Sequence, residues 1–125
     1  MKADLRRFDL KNLNNQFDVI LIEPPLKEYL SLHPGLNERI DLWDWNEIAD
    51  LDINSIASMR SFVFLWCGSY QGLEGARMCF RNWGFRRCED ICWIKTNKSQ
   101  KFVLPQKEES SIFLHTKEHL LMGIR

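Results

Sequence analysis

The sequence predicts an α/β domain built on a mainly parallel sheet. Two observations carry that prediction. Four short, nearly continuous apolar runs are spread along the chain, and segments of helical period lie between them. Turn-forming residues punctuate the pattern, with Pro24-Pro25 closing the first run and Cys67-Gly68-Ser69 closing the second.

The first run, Phe17-Asp-Val-Ile-Leu-Ile22, has the composition of a strand buried on both faces, as in a parallel sheet. The Trp45–Ala57 stretch follows as a helix with Asp44 as its N-cap, but Ile53 fits the helical stripe poorly, so two short turns are the alternative. Ser61-Phe-Val-Phe-Leu-Trp66 is the second strand. Over Gly72–Trp83 the apolar positions Leu73, Ala76, Cys79, Phe80 and Trp83 recur at steps of three and four, and Gly84 is placed to end that helix. Glu89–Lys95 and His119–Ile124 are further apolar runs of the same buried kind and supply the third and fourth strands. The polar stretch Asn97–Ser111 between them is long for a connection and reads as a functional or partner-ordered loop.

A chain of 125 residues with 45% hydrophobic residues, five Trp and eight Phe can build one small core. No apolar run reaches the length of a membrane span. The Met1-Lys-Ala-Asp-Leu-Arg-Arg start lacks the apolar segment of a secretion signal, so an intracellular protein is expected. Cys67, Cys79, Cys88 and Cys92 form no Cys-x-x-Cys pair. They read as reduced packing thiols, with a Cys88/Cys92 zinc site as the minor alternative.

The most informative turn is Glu23-Pro24-Pro25-Leu26, at the carboxyl end of a strand, where open α/β sheets place ligands. Taken alone, it reads as a strand terminator with a solvated acid. Enzymes that methylate an exocyclic amine often place Asp or Asn, Pro-Pro and an aromatic residue there. The carboxylate and a proline carbonyl orient the amine, and the ring stacks on the base for about 1–3 kcal/mol. Here Glu23 displaces the acceptor by about 1 Å, enough to cost on the order of a hundredfold in rate. Leu26 offers no ring. The turn is kept while both chemical contributions are degraded.

Longer stretches point the same way. They include Ala3-Asp-Leu with Phe8-Asp-Leu, Phe17 to Leu26, Arg60-Ser-Phe-Val-Phe-Leu-Trp-Cys-Gly-Ser69, Arg86-Arg-Cys-Glu-Asp-Ile-Cys-Trp-Ile-Lys-Thr-Asn-Lys98, Thr116-Lys-Glu-His and Leu121-Met-Gly-Ile124. In these the sequence resembles the MT-A70-like family of N6-adenosine methyltransferase subunits. Within it, Glu-Pro-Pro-Leu marks the non-catalytic branch, whereas catalytic subunits carry Asp-Pro-Pro-Trp. The resemblance implies a Rossmann-like S-adenosylmethionine-dependent methyltransferase fold. Residues 1–125 would be a partial domain, truncated at the C-terminus with its last strands missing. It implies a nuclear, RNA-binding scaffold in a heterodimer with the catalytic subunit, off the membrane. That partner would use S-adenosylmethionine and this chain would bind no cofactor, leaving Asp4 as a remnant of the cofactor contact. Two alternatives stand beside this reading: an active adenine N6-methyltransferase, and a truncated product without independent function.

Charge is divided along the chain although the net charge is zero. Residues 38–54 carry six acids and one base, whereas Arg77, Arg81, Arg86, Arg87, Lys95, Lys98, Lys101 and Lys107 face only Glu89 and Asp90 across their stretch. A solvated helix face would explain the arginines, and Arg87 could pair with Glu89 or Asp90. The resemblance implies instead that Arg77, Arg81, Arg86 and Arg87, extended by Lys95 and Lys98, contact RNA. His119 is expected to be packed and hydrogen-bonded, and the tryptophans to anchor the core and interfaces.

Overall fold

A computed structural model describes residues 1–30, 35, 40–70, 72–96 and 116–125. Its elements are strand β1 (Phe17–Ile22), helix α1 (Trp45–Ala49), strand β2 (Ala57–Gly68), helix α2 (Gly72–Trp83), strand β3 (Arg86–Ile94) and strand β4 (Lys117–Ile124). Single 3-10 turns at Leu10–Leu13, Lys27–Leu30 and Ile53–Ile56 join them. The expected loop at Asn97–Ser111, with Lys98, lies outside the described residues.

The α/β class holds, but the sheet is mixed rather than mainly parallel. Its order is β1-β2-β4-β3. β1 runs parallel to β2, while β2–β4 and β3–β4 are antiparallel. The reason lies in the connections. The chain from β1 to β2 passes through α1 and re-enters at the starting end. β4 begins beside the end of β3, where the Lys95 N–H donates to the Thr116 carbonyl at 2.8 Å, and the two strands run antiparallel from there.

Both helices pack on one face of this sheet. Ser61, Val63, Leu65 and Cys67 of β2 and His119 and Leu121 of β4 alternate inward beneath α2, where Phe80 and Trp83 are buried. The Trp83 indole N–H donates to the Ala49 carbonyl at 3.2 Å and fixes α2 to the end of α1. Gly75 is required where the helices meet, because a Cβ there would stand 2.2 Å from the Trp45 ring. Gly84 ends α2 with φ +77°, the left-handed conformation expected of a C-cap.

The expected Trp45–Ala57 helix divides in two. Asp44 and Glu47 form a reciprocal capping box at 2.9 Å each. Asp52 then caps a second turn through the Ser55 N–H at 3.3 Å. The restart rotates Ile53 into the core, where it is 4% exposed. Two strand expectations are corrected. β1 is half-buried on one face only, with Val19 59% and Leu21 64% exposed, because no described element covers its other face. All nine residues of β3 are exposed, since it is an edge strand. Of the thiols, Cys67 and Cys79 are buried packing groups whose titration burial pushes up to about 12. Cys88 and Cys92 are exposed rather than packed.

Candidate functional site

The Glu23–Leu26 turn leaves β1 beside β2 and borders a cavity of about 420 Å³. Asp4 and Leu5 from the N-terminal turn, Ile20–Pro25, Trp43, and Ile48, Leu51, Ile53 and Ile56 line it. The fold thus brings Asp4 and Glu23, nineteen positions apart in sequence, to the lining of one cavity.

Each chemical group of the turn has a place. Leu26 is 1% exposed and belongs to the core, so its side chain is not presented to a ligand. The Pro25 carbonyl accepts the Trp43 N–H at 2.8 Å, and the Lys27 N–H donates to the Trp43 carbonyl at 3.0 Å. These bonds pair the turn with the 42–43 segment as a short parallel bridge. Pro24 is buried, and Glu23 is exposed. Asp4 serves its own turn. Its carboxylate accepts the Arg6 N–H at 3.0 Å, and its carbonyl accepts the N–H groups of Arg7 and Phe8.

Arg6 ties that turn down. Its guanidinium donates to Glu47 at 3.0 Å, to Asp41 and to the Leu42 carbonyl, and lies 4.5 Å over the Trp43 ring. The Glu47 hydrogen bond is the main cause that raises the Arg6 pKa. The Glu47 carboxyl is lowered first by the Asp44 backbone N–H and then by Arg6. Near the carboxyl ends of β1 and β2 sits Tyr29, raised well above the ordinary phenol range by burial and by the acids Glu118, Glu28 and Glu23. This end of the sheet is acidic.

The candidate basic residues lie on two faces, with Lys95 at this same end beside Glu118. Arg77 and Arg81 project from α2, and one carboxylate, Glu74, pairs with both at 3.3 and 3.5 Å. On β3 the ladder sets Arg86 opposite Ile124 and Arg87 opposite Gly123, so pleating sends them to opposite faces, with Arg87 on the α2 side. Lys95 pairs with Glu118 and lies 5.7 Å from the Trp93 ring, on the face that α2 does not cover. The ring of Trp93 in turn meets Trp66 edge-on, with centroids 5.8 Å apart. Arg77, Arg81 and Arg87 therefore share one side, while Arg86 and Lys95 occupy the other.

Three features escaped the sequence reading. Glu74 was the acid just outside the window in which charge was compared. The pairing of Pro25 with Trp43 depends on a contact across the fold and leaves no local signal. The third is His119, 6% exposed, whose Nδ1 lies 2.9 and 3.1 Å from the two Asp90 carboxylate oxygens. His119 is packed and hydrogen-bonded as expected, but its partner could not be read from spacing. Among the described residues, no three His, Cys, Asp or Glu side chains cluster as metal ligands. None of their helices is long and apolar enough to cross a membrane.

An α/β domain with the Pro-Pro turn at the carboxyl end of its first strand defines the class: a partial Rossmann-like domain of the methyltransferase type. Residues 17–125 match the family described as MT-A70, and the chain belongs to that family. Over its full length it is 52% identical to the N(6)-adenosine-methyltransferase non-catalytic subunit METTL14 of Drosophila melanogaster, covering 32% of that protein. It is 54% identical to the subunit of the same name in Danio rerio, covering 27%. It is 44% identical to the N6-adenosine-methyltransferase non-catalytic subunit MTB of Arabidopsis thaliana, covering 16%. The chain thus spans about a third or less of the length of these curated relatives.

Proposed function

We propose that this chain acts as a non-catalytic, RNA-binding part of an mRNA N6-adenosine methyltransferase complex in the nucleus, paired with a catalytic subunit that carries S-adenosylmethionine. The observation that carries the reading is the internal use of the Pro-Pro turn. Leu26 is a core residue, and the Pro25 carbonyl is bonded to Trp43. The first relatives compared are themselves named non-catalytic subunits.

S-adenosylmethionine carries an ammonium, a sulfonium and ribose hydroxyls, which suit carboxylates such as Asp4 and Glu23, and a carboxylate, which needs a donor. Among the described side chains lining the cavity none is cationic and the Trp43 indole is the one N–H donor. The lack of a cationic side chain for the cofactor's carboxylate supports the reading that this chain does not hold it. RNA positioning falls to the exposed arginines Arg77, Arg81 and Arg87, which share the α2 side. Phosphate competes readily for the two α2 arginines, because exposed ion pairs such as those to Glu74 hold by about 0–1 kcal/mol.

Titration calorimetry with S-adenosylmethionine tests the first half, and RNA affinity with and without a catalytic subunit tests the second. The expected results are no cofactor binding and RNA binding that weakens with salt. The second reading, an active amine methyltransferase, draws on the presence of Asp4 and Glu23 in the lining of one cavity. It predicts stoichiometric cofactor binding and adenosine methylation by the chain alone, lost in Glu23→Ala.

A further inference from the structure

The observation begins with a bulge in β3. The β3–β4 ladder pairs Arg87 with Gly123 and Glu89 with Met122, skipping Cys88. In an unbroken strand residues 87 and 90 would face opposite sides. The extra residue turns them to the same side, so Arg87, Asp90 and Cys92 follow Gly123, Leu121 and His119 down the α2 face. Same-face neighbours on a strand stand roughly 7 Å apart, a gap that an arginine and an aspartate close easily. An Arg87–Asp90 ion pair is therefore the default expectation.

That pair is not formed. Both Asp90 carboxylate oxygens lie against His119 Nδ1, at 2.9 and 3.1 Å. Among the described residues Arg87 makes no ion pair or side-chain hydrogen bond, while Asp90 is bonded to the histidine. The preference has a physical cause. Among the described residues His119 is one of two buried polar side chains, and a buried ring N–H left without an acceptor is costly. An exposed arginine has water as an alternative partner; the histidine does not. The other groups near the ring do not compete for Nδ1. The Cys67 thiol donates to the His119 carbonyl at 3.3 Å, and Cys92 is its register partner on β3.

We propose that His119 is a positioning residue: it holds the Asp90 carboxylate away from Arg87 and so leaves the Arg87 guanidinium available to a nucleic-acid phosphate. The inference rests on the RNA reading above for its consequence. The competition between His119 and Arg87 for one acid stands on the geometry alone.

The experiment uses the whole chain, co-purified with a catalytic subunit where one is needed for solubility, and a single-stranded RNA oligonucleotide. His119→Leu removes the donor, so Asp90 turns to Arg87. RNA affinity then falls about three- to tenfold, and the slope of log affinity against log salt shrinks by about 0.7, the contribution of one phosphate contact on a single strand. His119→Asn, which keeps an N–H donor near the Nδ1 position, stays within about twofold of the unchanged protein. The deciding variant is His119→Leu combined with Asp90→Asn. With the competing charge gone, affinity returns to within about twofold. A double variant as weak as His119→Leu alone, or a His119→Leu variant that binds normally, overturns the inference.

An RNA-free measurement separates this from failure of the function itself. The Arg87 Nε–H resonance should shift in His119→Leu and return in the double variant. If that signal does not move, the inference is wrong. If it moves as expected while Arg87→Ala leaves RNA affinity unchanged, the competition stands and the RNA reading fails at this strand.

Discussion

The Glu23–Leu26 turn and strand β3 are opposites. At the turn, Leu26 is in the core, Pro24 is buried and the Pro25 carbonyl is hydrogen-bonded. On β3 every side chain is exposed, including Ile91 at 48% and Trp93 at 53%. Their sequences suggest the reverse, a presented motif and a buried strand. The difference teaches that residue type sets what a group can do, while its neighbours decide whether it does it. An apolar strand is buried only where another layer covers it, and a proline carbonyl that already accepts a backbone N–H has only part of its capacity left for a ligand.

The sharpest way to break the comparison is to truncate one apolar side chain in each region. Leu26→Ala should cost about 2–5 kcal/mol, because it opens a cavity in a packed site. Ile91→Ala should stay within about 0.5 kcal/mol, as an exposed change does. Chemical denaturation of both variants measures this. Equal losses would mean that β3 is covered and that the exposed strand described above is not the state in solution.

What was legible follows the same division. Local signals survived: the α2 stripe and its Gly84 cap, the Asp44 N-cap, and the helical misfit of Ile53 that the Asp52 restart explains. These are set by residues within a turn or two of one another. The candidate site was legible as a motif in Glu23, Pro24, Pro25 and Leu26, and as a charge imbalance in the arginines. What was lost depends on contacts between distant residues. The Pro25–Trp43 bond spans eighteen positions and the Asp90–His119 pair twenty-nine. Strand direction was misread because four apolar runs do not say which connection crosses the sheet and which turns back. The opposite facing of Arg86 and Arg87 was likewise hidden, since neighbours in sequence read as neighbours on a surface until a strand is recognised.

That last point gives the second prediction, and it sharpens the contrast within β3 itself. Arg87 lies on the side shared with Arg77 and Arg81, and Arg86 on the other. Arg87→Ala should weaken RNA binding about three- to tenfold, the loss of one phosphate contact, whereas Arg86→Ala should change it less than about twofold. Fluorescence anisotropy at two salt concentrations reads both. Equal losses would place the RNA across the edge of β3 rather than on its α2 side.

A third test uses pH on the inward-facing region. The Asp44 carboxyl is lowered below its ordinary value of 3.8, first by the Glu47 backbone N–H and then by Lys27. Glu47 is lowered below 4.5 by the Asp44 N–H and by Arg6. For groups with depressed folded-state pKa the unfolded chain binds protons more readily, so their contribution is complete above the ordinary carboxylate range. It is lost as pH falls through those values toward the depressed ones. Thermal unfolding followed by circular dichroism should therefore give a midpoint that drops between about pH 5 and pH 3. Asp44→Ala should flatten that drop, because the reciprocal cap and its tie to Arg6 through Glu47 go together. An unchanged pH profile in the variant would show that the box does not govern acid sensitivity.

The smallest expected effect concerns Glu74, and it reaches back to the opening contrast, because this acid does for α2 what Trp43 does for the turn: it occupies groups that a ligand would otherwise meet. Its carboxylate bridges Arg77 and Arg81, yet all three side chains are solvent-exposed, so water and salt keep that occupation weak. Removing the charge with Glu74→Gln should free both guanidinium groups and tighten RNA binding about two- to fivefold at low salt. The gain should fade as ionic strength rises and the screening length shrinks below the spacing of the charges. Stability should move by less than about 0.5 kcal/mol, since an exposed pair contributes little to folding. Looser binding in Glu74→Gln would mean that the carboxylate orders the two arginines for RNA instead of competing for them, and α2 would then resemble a prearranged site more than an occupied one.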